Sequence, residues 1–216
     1  ELQAYGKKIN IEEQKQRIYA WTTACKPLCD YAVSRAELLF PCLYEYYHLY
    51  KNLNDSVIDH KLHYIGLPIT LSNHSPKEPT DKVRILIGIQ KTRSNTKGTD
   101  KMLPLFDRLA EQYPDEIELI KVENVPFHEY KRLLSSCDIL VDQLYSYTPA
   151  MNALEAMSHG TVVVTGGEED YYRFIGEEEL RPIINLRPLK DEENYKTIEQ
   201  IALNRAFLSQ KKAESI

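Results

Sequence analysis

The sequence predicts an α/β protein, a Rossmann-like doubly wound parallel sheet with helical flanks at both ends of the chain. Three observations predict it. From Lys82 onward, short apolar runs alternate with single helix-like segments, the pattern of βαβ units joined by right-handed crossovers. The runs are nearly continuous in Val, Ile and Leu, as strands covered on both faces must be. Polar, turn-forming stretches separate them at the spacing that crossover connections need.

The elements follow in order. Val83–Gly88 reads as the first strand, with a polar loop and a helix over 99–112 behind it. Ile117–Val122 is the second strand and 127–136 the next helix. Asp138–Asp142 is the third strand, leading to a helix over Thr148–His159. Thr161–Thr165 and Ile183–Leu186 complete the sheet, and Asp191–Lys212 closes the chain as one long helix. Ile198, Ile201, Ala202, Arg205 and Leu208 are spaced along it for packing.

The first part of the chain has another character. Ile11, Ile18, Trp21, Cys25 and Leu28 recur at helical intervals, predicting an amphipathic helix that Pro27 kinks or ends. Ala32–Ser34 reads as a short buried strand, followed by a helical run over 35–51 interrupted at Pro41. That run carries Tyr44, Tyr46, Tyr47 and Tyr50, read as aromatic packing rather than a ligand cage. Residues 60–72 read as extended. The expected organisation is therefore a mostly helical segment over 1–72, a linker over 73–80, the Rossmann-like domain over 81–188 and a C-terminal helix over 189–216. The opening Glu1-Leu2-Gln3 lacks an initiator methionine and is read as the start of an excised fragment.

Composition excludes some functions. Hydrophobic residues make up 43% and charged residues 27% of 216, ordinary for a globular protein. The formal net charge is -5, so no basic field invites nucleic acid. No apolar run approaches the roughly 20 residues of a membrane span, and a cytoplasmic protein is expected. Cys25, Cys29, Cys42 and Cys137 match no zinc-site spacing and are read as buried thiols. No metal or other cofactor is expected.

Ligands of a doubly wound sheet bind beyond the carboxyl ends of its strands, which singles out three loops. Gln90–Gly98 carries Lys91, Arg93 and Lys97. Those cations can hold a diphosphate, and they are equally compatible with a plain solvated loop; the glycine pattern of a Walker loop is absent. In the second loop, Thr148 suits a helix N-cap and Pro149 the first helical position. A helix start there, with free amides near Ala150, Met151 and Asn152, favours an anion. Glu155, read as two turns into that helix, is placed either to accept from ribose hydroxyls or to face solvent. The third loop, Thr165–Asp170, has two glycines that permit close backbone approach or a simple turn. Its consecutive carboxylates Glu168, Glu169 and Asp170 diverge, so they make no metal site.

The run Leu154-Glu155-Ala156-Met157-Ser158-His159-Gly160-Thr161-Val162-Val163-Val164 resembles the "LEAMA.G.PVV" signature of family-4 (group 1) glycosyltransferases, which have the two-domain GT-B architecture. Ser136–Val141 is similar to that family's "aDvfv.PS" strand, and Lys97-Gly98 to the end of its "GR...KG" loop. The resemblance covers about residues 82–188. It implies that Glu155 binds the donor's ribose, and that Lys97, with Arg93 or Lys91, stabilises the diphosphate leaving group. It also implies that amides near Ala150 and Met151 assist, and that the turn Glu123-Asn124-Val125-Pro126 contacts the base. The implied reaction is metal-independent hexosyl transfer from a nucleoside-diphosphate sugar to a glycan or lipid-linked acceptor, with retention. The full-length enzyme would then sit peripherally at the inner membrane when its acceptor is lipid-linked.

Departures from the pattern leave the donor sugar open. Tyr147 stands eight residues before Glu155, where the family often has a sugar-contacting glutamate. Thr148-Pro149-Ala150-Met151 replaces "GFGL", and Thr92, five before Lys97, stands where the loop's first basic residue is expected. By the same resemblance, residues 30–51 end the acceptor domain and 64–68 cross to the donor domain. Most of the acceptor domain would then be missing, giving a piece that binds nucleotide without transferring sugar. The alternatives are a sugar-nucleotide epimerase of the GT-B type and a non-catalytic nucleotide-binding domain.

Overall fold

The computed structural model describes residues 11–71 and 80–215. Residues 73–79 of the linker expected over 73–80, the opening Glu1–Gln3 and the side chains of Ile11 and Ile18 lie outside the described residues. The chain divides into two compact units between Leu67 and Pro68.

The first unit is helical. Helix α1 (Ile11–Ala20) runs through a five-residue π-helical turn, Trp21–Cys25, into α2 (Lys26–Arg35). Pro27 neither ends nor breaks the run. It lacks the N–H that would bond Thr23, and the backbone widens just ahead of it, with Lys26 N–H reaching Trp21 O. The Thr22 and Thr23 hydroxyls donate to Tyr19 O at 3.1 and 2.7 Å, supporting the widened turn. Ala32–Ser34 is helical, not the expected strand. Helix α3 begins only at Tyr44 and ends at Lys51. The chain ahead of it is non-helical, and Leu39 there forms a parallel bridge with Leu62 through bonds of 2.7 and 2.8 Å. A short helix α4 (Ser56–Lys61) occupies the start of the segment expected to be extended, capped by Asp55 accepting from Val57 and Ile58 N–H. Cys25 and Cys29 are exposed, correcting the buried-thiol expectation, while Cys137 is buried.

The second unit is the expected sheet. Strands β1 (Val83–Gly88), β2 (Ile117–Val122), β3 (Ile139–Val141), β4 (Val162–Val164) and β5 (Ile183–Ile184) are all parallel, in the order β2-β1-β3-β4-β5. Alternate residues feed opposite faces. Ile85, Ile87, Ile139, Val141, Val162 and Val164 join α6 (Thr99–Gln112), α10 (Asp191–Leu203) and α11 (Arg205–Glu214) in one core. Leu86, Leu140 and Val163 join α7 (Phe127–Ser136), α8 (Met151–Ser158) and α9 (Glu169–Ile175) in the other.

Two helices differ from expectation. The closing segment is not one helix. Asn204 leaves helical geometry (φ -91°, ψ 92°), and its side chain accepts from Phe207 N–H to start α11, so a capping residue divides an otherwise continuous apolar stripe. Helix α8 starts at Met151 with Ala150 as N-cap and no side-chain cap. Thr148 is buried and its carbonyl accepts from the Ser146 hydroxyl at 2.6 Å, so it belongs to the loop below the helix. The fifth helix, α5 (Ser94–Lys97), follows a 3-10 turn at Lys91–Arg93 inside the cationic loop.

Candidate functional site

A sheet ordered 2-1-3-4-5 has its topological switch point between β1 and β3, where ligands of open α/β sheets lodge. A cavity of about 460 Å³ opens there. Gly88, Ile89 and Gln90 from the end of β1 line it, with Val122, Asn124 and Val125 after β2 and Val141 and Asp142 at the end of β3. Lys97, Phe127, Tyr130 and Asn152 complete the wall.

Its polar end is a connected network. Lys97 Nζ lies 3.1 Å from Asp142 Oδ1, to which Asn152 Nδ2 also donates at 3.1 Å. The Tyr130 hydroxyl donates to Asn152 Oδ1 at 2.9 Å. Asp142 is only 4% exposed, so its charge needs those partners. Burial pushes the Tyr130 phenol up to about 12, with the nearby Asp142 charge adding to the shift. Tyr130 is thus a fixed hydrogen-bond donor at neutral pH.

The backbone fixes Lys97 from the other side. Leu144 and Tyr145 N–H both donate to Lys97 O, at 2.7 and 3.3 Å. Gly98 makes this possible. It has φ +78°, and a Cβ there would come within 2.7 Å of Leu144 Cβ, so only glycine fits. Asn124, also left-handed at φ +53°, turns the chain from β2 into α7, a geometry that Asn tolerates.

The other wall is apolar. Val122, Val125 and Ile89 lie there. Phe127 begins α7 with its ring 72% exposed at the rim. Tyr130 stands one turn further on, its ring packed near Gly88.

Of the residues singled out in the sequence, Lys97, Asn124, Val125 and Asn152 meet at this cavity. The others do not line it. Lys91 is exposed and pairs with Glu123 at 2.8 Å, and Arg93 is exposed. The Tyr147 carbonyl accepts from Glu168 N–H at 3.1 Å, and Thr148 is buried below α8. Ala150 and Met151 stand at the start of α8, outside the cavity lining. Glu155 is one turn into α8 rather than two, and its carboxylate meets Lys131 Nζ at 2.9 Å. It lines a separate open depression of about 530 Å³ with Arg132, Ser135, His159 and Thr70.

The two glycines after β4 serve packing. A Cβ on Gly166 would lie 2.1 Å from Ser146 O, and one on Gly167 2.9 Å from Ile183 Cγ2. The neighbouring carboxylates diverge as expected. Glu168 meets Arg187 and Asn185, Glu169 meets Arg181, and Asp170 meets Arg173. Among the described residues no group of three or more His, Cys, Asp and Glu is placed to hold a metal ion. No described helix is long and apolar enough to cross a membrane.

Sequence reading missed Asp142, Tyr130, Gln90 and Phe127. For Asp142 a signal existed: it is the charged residue ending an apolar strand, at the sheet edge where ligands bind. Asp138, at the opposite end of the same strand, is buried for another purpose. It accepts from Arg84 N–H at 2.7 Å and pairs with Lys212, tying α11 to the sheet.

No protein-family model matches the sequence, and a comparison with curated proteins finds no match either. Solved structures do match. A mutant of S. aureus TarM in complex with fondaparinux, α-GlcNAc-glycerol and UDP aligns with a TM-score of 0.65 at 11% identity, over 85% of this chain and 40% of that one. The pneumococcal O-GlcNAc transferase GtfA, in complex with UDP and GlcNAc, aligns with a TM-score of 0.59 at 9% identity, over 86% and 43%. The chain thus spans about two-fifths of the length of the structures it matches. At such identity the likeness is one of fold: a Rossmann-like parallel sheet flanked by helices, consistent with the GT-B architecture.

Proposed function

We propose that this chain is the nucleotide-sugar-binding part of a GT-B glycosyltransferase. The observation that carries the reading is the two-ended cavity at the switch point. A lysine fixed by a buried aspartate stands at one end, and a wall of Val122, Val125 and Phe127 at the other. A nucleoside diphosphate has the matching halves, an anionic group and a flat base whose π faces suit an apolar wall. The matched structures of TarM and GtfA, both solved with UDP, support the same reading.

Lys97 is the leaving-group residue. Its ammonium faces the diphosphate and offsets the charge that grows on it as the glycosidic bond breaks, an electrostatic contribution of the kind that dominates such chemistry. Asp142 keeps Lys97 in place before the donor arrives, and the start of α8 adds its dipole. The Asn124-Val125 turn meets the base. Arg93 and Lys91, exposed on the same loop, add to the phosphate field without direct contact. Glu155 lines the neighbouring depression, and to meet the ribose hydroxyls it has to exchange its bond with Lys131 and turn toward the cavity. Tyr147, Thr148, Ala150 and Met151 shape the loop under the donor sugar. The transferred group is a hexosyl unit, passed with retention to a glycan or lipid-linked acceptor, without a metal.

The test is a thermal shift of the 216-residue chain with UDP, GDP and ADP. A ligand that binds the native state raises Tm with its concentration over its Kd. At least one nucleotide is expected to do so, and Lys97→Met to lose most of the shift. A flat response to all three in the wild-type chain sinks the reading.

A further inference from the structure

We infer that Phe127 is the stacking platform for the base of the bound nucleotide, a role that rests on the nucleotide reading above and extends it. An aromatic ring at the rim of a cavity offers a flat face on which a planar base can stack. Phe127 is 72% exposed and nevertheless lines the cavity rim. It is also placed by rigid neighbours. Pro126, with φ -57°, sets the entry to α7, and Phe127 is the first residue of that ten-residue helix. The left-handed turn at Asn124, itself part of the cavity wall, stands just before it.

The other aromatic of the wall is unsuited to the task. Tyr130 has its hydroxyl bound to Asn152 and its ring packed near Gly88. Phe127 has no polar atom and an accessible ring. Lys131 Nζ stands 5.5 Å from the ring centroid and also binds Glu155. The cation therefore links the platform to the carboxylate that the reading assigns to the ribose. Base and diphosphate then share one cavity, from Phe127 past Asn152 to Lys97.

Calorimetric titration of the full chain with UDP and with inorganic pyrophosphate tests the stack. Stacking on an aromatic is worth roughly a five- to hundredfold change in affinity. Phe127→Ala is expected to weaken UDP by that factor and leave pyrophosphate unchanged, and Phe127→Trp to restore UDP binding. Equal UDP affinity in the wild type and Phe127→Ala overturns the stack alone. A parallel loss of pyrophosphate binding in Phe127→Ala also overturns it, because the residue would then be shaping the cavity rather than meeting the base. Absence of binding by the wild type to both UDP and pyrophosphate overturns the stack together with the nucleotide reading. Because the ring is mostly in solvent, the variants are expected to unfold at the wild-type urea midpoint, which the same preparations report.

Discussion

The helices on either side of Leu67 treat their apolar residues in opposite ways. The helical segments from Trp21 to Lys61 bury none of their residues, and Tyr19, Leu28 and Tyr31 are each more than 60% exposed. In the second unit, Phe106, Met102, Leu109, Ile198 and Leu208 are all within 2% of full burial against the sheet. Helical periodicity reports which face is apolar. It does not report what lies against that face. A sheet with both faces covered supplies its own answer, because every crossover helix must return to it.

This contrast predicts unequal costs for truncation. Phe106→Ala, in the middle of α6, is expected to destabilise the second unit by about 3–5 kcal/mol, as large-to-small core changes do. A fall in the urea midpoint at unchanged slope would report it. A cost below about 1 kcal/mol would mean that this core is loosely packed and the contrast overstated. Gly166→Ala comes next, with an expected loss of roughly 1–3 kcal/mol from overpacking. Its new methyl would face Ser146 O, which is backbone and cannot swing away. Wild-type stability in that variant would show that the loop above β4 yields freely.

Alkaline pH should also act on one unit. Burial raises the phenols of Tyr130 and Tyr172 to about 12, against about 10 in an unfolded chain. A raised folded pKa means that the folded state keeps its proton longer. The stability linked to these groups is therefore complete below about pH 10 and is lost as pH rises through about 12. Circular dichroism across that window should show the sheet unit weakening, with a shallower decline in Tyr130→Phe/Tyr172→Phe. An equally steep decline in the double variant would assign the loss to other groups.

How much of this was legible in the sequence follows the same division. The strands and the helices over 99–112 and 127–136 could be read because uninterrupted Val, Ile and Leu runs leave few alternatives. The break at Asn204 and the late start of α8 could not, since the first turns on a single capping bond and the second on the packing of the loop at Ser146–Thr148, not on periodicity. At the cavity, Lys97 was found through its cationic loop and Asn124 through the family resemblance. Asp142 and Phe127 were missed, as an acidic strand end and a helix-start aromatic have many uses until the topology places them at the switch point. Glu155, the most recognisable residue by motif, proved to be paired with Lys131 in the next depression. A motif fixes helix and face, and only packing decides the direction of a carboxylate.

The smallest expected effect is the sharpest test of the first unit. Leu28→Ser places a polar side chain on α2 at a position 68% exposed, shortly beyond the π-helical turn. With little apolar area to lose, the change should alter stability by no more than about 0.5 kcal/mol, as for most surface substitutions. The serine lowers helix propensity only slightly, and it lies outside the Thr22 and Thr23 bonds that support the widened turn. Unfolding followed by Trp21 fluorescence, from the only tryptophan in the chain, would report on this unit directly. A loss above about 2 kcal/mol, equal to that of a buried leucine, would mean that this face is covered in solution and that the exposure of α2 is not its working state.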